Sequence, residues 1–246
     1  MVGSLILRGL VVGLVAGLLA FGCAKLIGEP QVDRAIAFEA QMDAAKGDAP
    51  EPELVSRPVQ SGAGLLTGVL VYGTAVGGLF SLVFAFAAGR VGRIGPRGLA
   101  ALLALAGFLA IVLVPQLKYP ANPPSIGDPE TIGHRTALFF IMIAASIAIM
   151  AGAVNLGLRL KRRIGAWNAT LTAAALFIAI IAGVQLLLPD VNEVPDDFPA
   201  VVLWRFREAS LAIQVVLWSG IGLGFGWLTE RSTSGQFRFS KPVRAH

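Results

Sequence analysis

The chain reads as an all-α, polytopic helical membrane protein of about six transmembrane helices, with both termini cytoplasmic. Three observations predict this. Of its 246 residues, 55% are hydrophobic and only 14% charged, with a mean hydropathy of +0.73; soluble domains carry about 25% charged residues. Six segments are apolar enough over the roughly 20 residues that a bilayer-crossing helix needs. The basic residues also alternate from loop to loop, as membrane topology requires.

The six spans lie at about 5–27, 61–88, 99–117, 136–158, 169–188 and 208–229. Their apolar runs are continuous and lack the alternation of a membrane barrel strand, so helices are the expected element. Together they make one membrane domain, 1–231, of three helical hairpins, followed by a basic cytoplasmic tail, 232–246, expected to be disordered. Arg8 before an apolar core and Cys23 faintly suggests a lipoprotein signal, but Ala20 and Phe21 suit its cleavage box poorly. The first span is therefore read as a retained helix.

With the N-terminus inside, the inner segments hold twelve basic residues, among them Arg90, Arg93, Arg97, Arg159, Lys161, Arg162 and Arg163, against one acid, Glu230. The outer segments hold the other eight basic residues and fourteen of the fifteen acids. The longest outer segment, 28–60, has Pro30 placed for a first helical turn. Residues 31–45 follow as an interfacial helix, and 49–53 (APEPE) as an extended, proline-stiffened tether. The other two outer connectors, 113–140 and 186–214, are rich in proline and acids, and each closes on arginine: Arg135 in one, Arg205 and Arg207 in the other. Spans three–four and five–six thus look like weakly repeated hairpins, an arrangement common in transporters.

Small residues recur at four-residue spacing: Gly9, Gly13 and Gly17; Gly64 and Gly68; Gly73 and Gly77; and Gly220 to Gly226 at every second position. Such spacing lets membrane helices approach closely, and packing is the favoured role. Asn155, Gln185, Gln214, Ser146 and Thr74 are expected to hydrogen-bond between helices. Met142, Ser146 and Met150 share a face below His134, where core filling is preferred over a soft-metal ladder.

Chemistry in this chain is sparse. The only histidines are His134 and His246 and the only cysteine is Cys23, so neither a multi-histidine cage nor an intrachain disulfide can form. None of the five lysines stands in a GxxxxGK[ST] frame, and HExxH and GxSxG are absent. An enzyme is not expected, nor a bound cofactor, nor nucleic-acid binding. The one-sided acids have two readings. They occupy loops where basic residues are disfavoured, or they form a polar mouth that concentrates cations. In the second reading the metal-gathering residues are Glu29, Glu39, Glu193 and Asp196, with His134 as a nitrogen ligand.

Three stretches carry a family resemblance: GEPQVDRAIAFE (28–39), VPQLKYPANPPSIGDPETIGHRTALFF (114–140) and LPDVNEVPDDFPAVVLWRFREASLAIQ (188–214). They resemble the CbtA family of probable cobalt transporter subunits, and the likeness runs to about Arg231. The resemblance implies a multi-pass bacterial inner-membrane protein serving cobalt supply for cobalamin synthesis, with about five spans. It also implies a small single-span, histidine-bearing partner subunit that would add the imidazoles this chain lacks. The expectation is a membrane subunit of a cobalt (divalent cation) uptake system. The alternative is a non-transporting scaffold whose outer loops bind a protein.

Overall fold

The computed structural model describes residues 2–47, 55–92, 94–124 and 126–239, the last seven as backbone only. The 49–53 tether and residues 240–246 of the basic tail lie outside the described residues. Every regular element is helical: α1 Val2–Cys23, α2 Glu29–Lys46, a single turn α3 Arg57–Val59, α4 Leu65–Ala87, α5 Pro96–Gly107, α6 Val114–Lys118, α7 Ile132–Leu187 and α8 Ala200–Phe239.

Three π-helical turns, Ala24–Gly28, Gln60–Gly64 and Phe108–Leu113, are spliced into these runs. Two of them have a proline as cause. Pro30 and Pro115 have no N–H for the carbonyls of Leu26 and Ile111 four residues back, and their rings crowd those carbonyls. A wider π turn around each of those positions lets the helix continue. Helix α1 therefore passes through Ala24–Gly28 into α2, where the sequence alone suggests a span followed by a separate surface helix. Gly47, left-handed at φ 80°, ends α2 by donating its N–H to Ala44 O.

Five helical stretches are long and apolar enough to cross a bilayer: Val2–Lys46, Arg57–Ala87, Pro96–Lys118, Pro129–Leu187 and Ala200–Ser232. The count is five rather than six because the fourth and fifth expected spans merge in α7. As a straight rod its 56 residues would extend about 84 Å, nearly three bilayer cores. Gly165 breaks it, at φ 80° and ψ 165°. A methyl group on Gly157 would stand 3.3 Å from Ala173 Cβ, so the two limbs run back along each other as a hairpin. Helix α8 extends beyond Arg231 to Phe239; the next proline, Pro242, lies further on.

The chain forms two compact units. The first contains Met1–Cys23, Ser56–Leu105 and the chain from Gln214 onward. Here α1 buries Gly9, Val12, Gly13, Ala16, Gly17 and Ala20, a stripe at helical spacing, against α4. Gly220 and Gly224 of α8 meet Ala16 and Val12, while Gly222 and Gly226 meet Ala104 and Arg97 of α5. Phe225 is fully buried, with its ring edge-on to Phe80 and Phe84 at 5.4 and 5.0 Å. Leu7, Val15, Val71, Leu79 and Phe86 are exposed on the outer faces, as a lipid-facing surface requires. Glu230, the one acid among the inner segments, pairs with Arg97.

The second unit comprises Ala24–Val55 and Ala106–Ile213. Met142 and Ile181, from the two limbs of α7, pack on Val114. Gln185 Nε2 donates to Val114 O at 3.0 Å, tying the second limb of α7 to the first residue of α6. A second cluster joins three outer segments: Ala35 and Phe38 of α2, Ile126 of one connector, and Val194 and Phe198 of the other. The Phe38 and Phe198 rings meet edge-to-face at 5.1 Å.

Candidate functional site

The site lies in the second unit, where residues 119–131 and 188–199 lean on each other. Both connectors are held open by their prolines, which disfavour helix and withhold N–H donors. Polar side chains then do what regular backbone pairing would otherwise do. Lys118 pairs with Asp190. Tyr119 Oη donates to Pro189 O at 2.9 Å. Desolvation is the main influence raising the Tyr119 pKa, with Lys118 lowering it and Asp190 raising it, so the phenol keeps its proton at neutral pH. Arg207 reaches from α8 to donate through Nε to Ala121 O at 3.2 Å and through Nη2 to Asn122 Oδ1 at 2.9 Å.

Glu193 sits at the centre of this lacework. Its Oε1 accepts from Thr131 Oγ1 at 2.6 Å and its Oε2 from the Asp128 N–H at 2.9 Å. Arg135 Nε lies 3.2 Å from Oε2, an ion pair without hydrogen-bond alignment, while Arg135 Nη2 donates to Asp128 O. Gly127 makes room for that guanidinium: its φ is +112°, and a side chain there would overlap Arg135. Asp128 caps the following 3₁₀ turn, accepting from Glu130 N–H. The Thr131 hydrogen bond is the main cause lowering the Glu193 pKa from 4.5; the Asp128 N–H and Arg135 act with it, and partial burial acts against it.

This gives a signed pH dependence. A carboxylate whose folded pKa is depressed adds stability that is fully present above its unfolded value. That contribution is lost as pH falls through the folded value. Glu193→Gln should lower the melting temperature by several degrees at pH 7, and the gap to the parent protein should close in acid below about pH 4. Thermal unfolding in detergent across pH 7 to 3 measures it; a gap that stays constant over that range would assign the loss to something other than the charge.

The other sequence-chosen residues are dispersed. Glu29 and Glu39 are half-buried on α2, ten positions and so about 15 Å apart along the axis, too far to share one ion. Asp196 is exposed in the turn before Phe198, and His134 is exposed in the first turn of α7. The three outer segments do converge, but the groups at their junction are apolar ones. Among the described residues, no three His, Cys, Asp or Glu side chains group so as to hold a metal ion.

Beside Glu193 the second unit has an open cavity of about 720 Å³. Lys118, Arg135, Arg207 and Asp190 contribute its charged lining, and Leu117, Ile132 and Phe139 part of its apolar wall. The prolines and acids of both connectors point to this region in the sequence, but the cavity and its mainly cationic lining do not show there. Of the expected interhelical hydrogen-bonders, Gln185 is one, whereas Gln214 Oε1 is buried with no hydrogen-bond partner among the described residues. Asn155 instead bonds Ala151 O of its own helix. Ser146 Oγ is buried with no hydrogen-bond partner among the described residues, and Met142 beside it is core.

No curated protein and no solved structure matched this chain. A family match does cover it, over residues 2–230, reaching into every one of the five helical spans and taking in both connectors. Its description, probable cobalt transporter subunit, fits a multi-pass membrane architecture, and by that match the chain belongs to the CbtA family.

Proposed function

We propose that the protein is the membrane-spanning subunit of a cobalt uptake system, gathering the divalent ion over its acidic outer face and passing it along a helical bundle. Membership of a transporter-subunit family carries the general role, and with it the existence of partner subunits and a non-enzymatic activity. The observation that carries the finer reading is the asymmetry of charge. Fourteen of fifteen acids fall on one side of the spans, and acids contribute little to topology, so topology alone does not require their placement.

The geometry favours a field over a chelate. Glu29, Glu39 and Asp196 raise the local concentration of a divalent cation together without needing to touch the same ion. Glu193, with two hydrogen-bond donors and the Arg135 guanidinium around its carboxylate, adds to that field while fixing the connectors. His134, exposed in the first turn of α7, would add a single nitrogen contact. Tight ligation of a first-row metal takes several nitrogen, oxygen or sulfur ligands in defined geometry, and a histidine-bearing partner subunit would complete such a set. A passive, potential-driven or partner-driven step supplies the coupling, since the chain has no P-loop.

The test is cobalt uptake by the purified protein in vesicles, with and without candidate partner subunits, comparing the parent with a Glu29→Gln, Glu39→Gln, Asp196→Asn triple variant. Uptake should fall roughly tenfold at low ionic strength. The difference should shrink in high salt, where the field is screened. Equal uptake by a triple variant that inserts normally would remove the gathering role and favour a scaffold.

A further inference from the structure

We infer that the cavity between the two connectors of the second unit is a binding site for a phosphate-class anion, from an anionic phospholipid headgroup or from free phosphate. The site is separate from the gathering surface proposed above and has the opposite sign.

Charge comes first. Three cationic side chains line the cavity against one carboxylate. Exposure sharpens the contrast: the Lys118 side chain is only 10% exposed, whereas Asp190 is 93% exposed and meets water. Even with Glu193 counted beside Arg135, cations outnumber anions. A bare divalent cation would be repelled from this lining, and an anion attracted.

Hydrogen-bonding capacity points the same way. A guanidinium carries five N–H donors and an ammonium three, with no acceptors. Arg207 uses Nε and Nη2 to hold the 121–122 backbone and amide. That anchorage fixes the plane of the guanidinium and leaves it further N–H groups. Fixed, charged donors with capacity to spare suit a tetrahedral, multiply accepting anion.

Part of the lining is apolar. Leu117 and Ile132 are 68% and 55% exposed and Phe139 stands beside them. The cavity also lies where the stretches Pro96–Lys118, Pro129–Leu187 and Ala200–Ser232 begin or end, which is headgroup depth for a spanning helix. A charged pocket bordered by exposed apolar side chains at that depth matches a lipid with its phosphate inside and its chains along the wall.

The experiment uses the full-length protein in neutral detergent. It is titrated separately with short-chain phosphatidylglycerol, short-chain phosphatidylcholine, inorganic phosphate and cobalt chloride. Native mass spectrometry counts bound ligand, and hydrogen exchange follows residues 117–139 and 189–194. Phosphatidylglycerol should be retained over phosphatidylcholine and protect both segments. Lys118→Gln should weaken retention roughly tenfold or more, the size expected for one charge-assisted contact. Asp190→Asn should strengthen it, since it deletes the only acid of the lining; Asp190 is exposed, so this variant tests the site even if Lys118→Gln fails to fold. Competition by inorganic phosphate would identify free phosphate as a sufficient ligand, and retention of the lipid alone would identify the headgroup. Anion binding indifferent to both substitutions would overturn the inference, as would cobalt binding that Asp190→Asn abolishes.

Discussion

Gly13→Ala should destabilise the protein by about 1–3 kcal/mol, the usual penalty for forcing a methylene into a packed interior, and Gly13→Val should leave little folded protein in the membrane. The reason is a direct backbone contact between α1 and α4. A Cβ on Gly13 would fall onto the Gly73 carbonyl oxygen, one on Gly73 would meet Gly13 O, and one on Gly77 would meet Gly9 O. In each case the glycine hydrogen points at the facing carbonyl, the geometry of a Cα–H···O contact. Lipid offers no hydrophobic drive for two apolar helices to associate, so close backbone packing is a large part of what holds them together. Neighbouring side chains cannot relieve the clash, because the obstructing atoms are backbone. Gly68→Ala is the control, since nothing lies within 4 Å of its added methyl. It should be neutral or stabilising by up to about 1 kcal/mol through helix propensity. Thermal unfolding followed by tryptophan fluorescence separates the two; a Gly13→Ala protein as stable as Gly68→Ala would refute the packing.

Gly165→Ala is the second large effect. At φ 80° and ψ 165° the residue occupies a region that is open to glycine and closed to nearly all L-residues. Forcing a side chain there costs about 1–3 kcal/mol. The penalty acts at the reversal of α7, where a continuous helix would be some 84 Å long. Relief by straightening would break the pairing of Gly157 with Ala173 and of Met142 with Ile181. The expected result is a lower melting temperature with retained helix content, measured by circular dichroism in detergent. Gly152→Ala, in the same element with open space around its added methyl, should show no loss. Equal stability of the two variants would mean that the turn does not depend on glycine.

These two cases show how far the residues could be read. Gly13, Gly68 and Gly77 share the same four-residue spacing, and spacing alone assigns them the same role. Only Gly13 and Gly77 face another backbone. The basic inner segment between the spans at 136–158 and 169–188 reads as a loop in the sequence, and the structure makes it a reversal at the single residue Gly165 inside one long helix. Pro30 was legible as a helix start, whereas the π turn before it, which carries α1 into α2, depends on how the backbone routes around a missing donor. At the connectors, proline and acid content announced irregular polar chain. It did not announce that Glu193 would gather Thr131, the Asp128 N–H and Arg135 from about 60 positions away.

By itself the sequence determined that this protein lives in a bilayer and that it is helical. A backbone in hydrocarbon must satisfy its own hydrogen bonds, and it advertises this in long uncharged runs and one-sided arginines. The tertiary structure decided which glycines are contacts, how the outer acids are used, and that the cavity beside them is lined mainly by cations. Those depend on pairings between residues far apart in the chain, and a one-dimensional pattern of polarity holds no information about which donor a given carboxylate will meet.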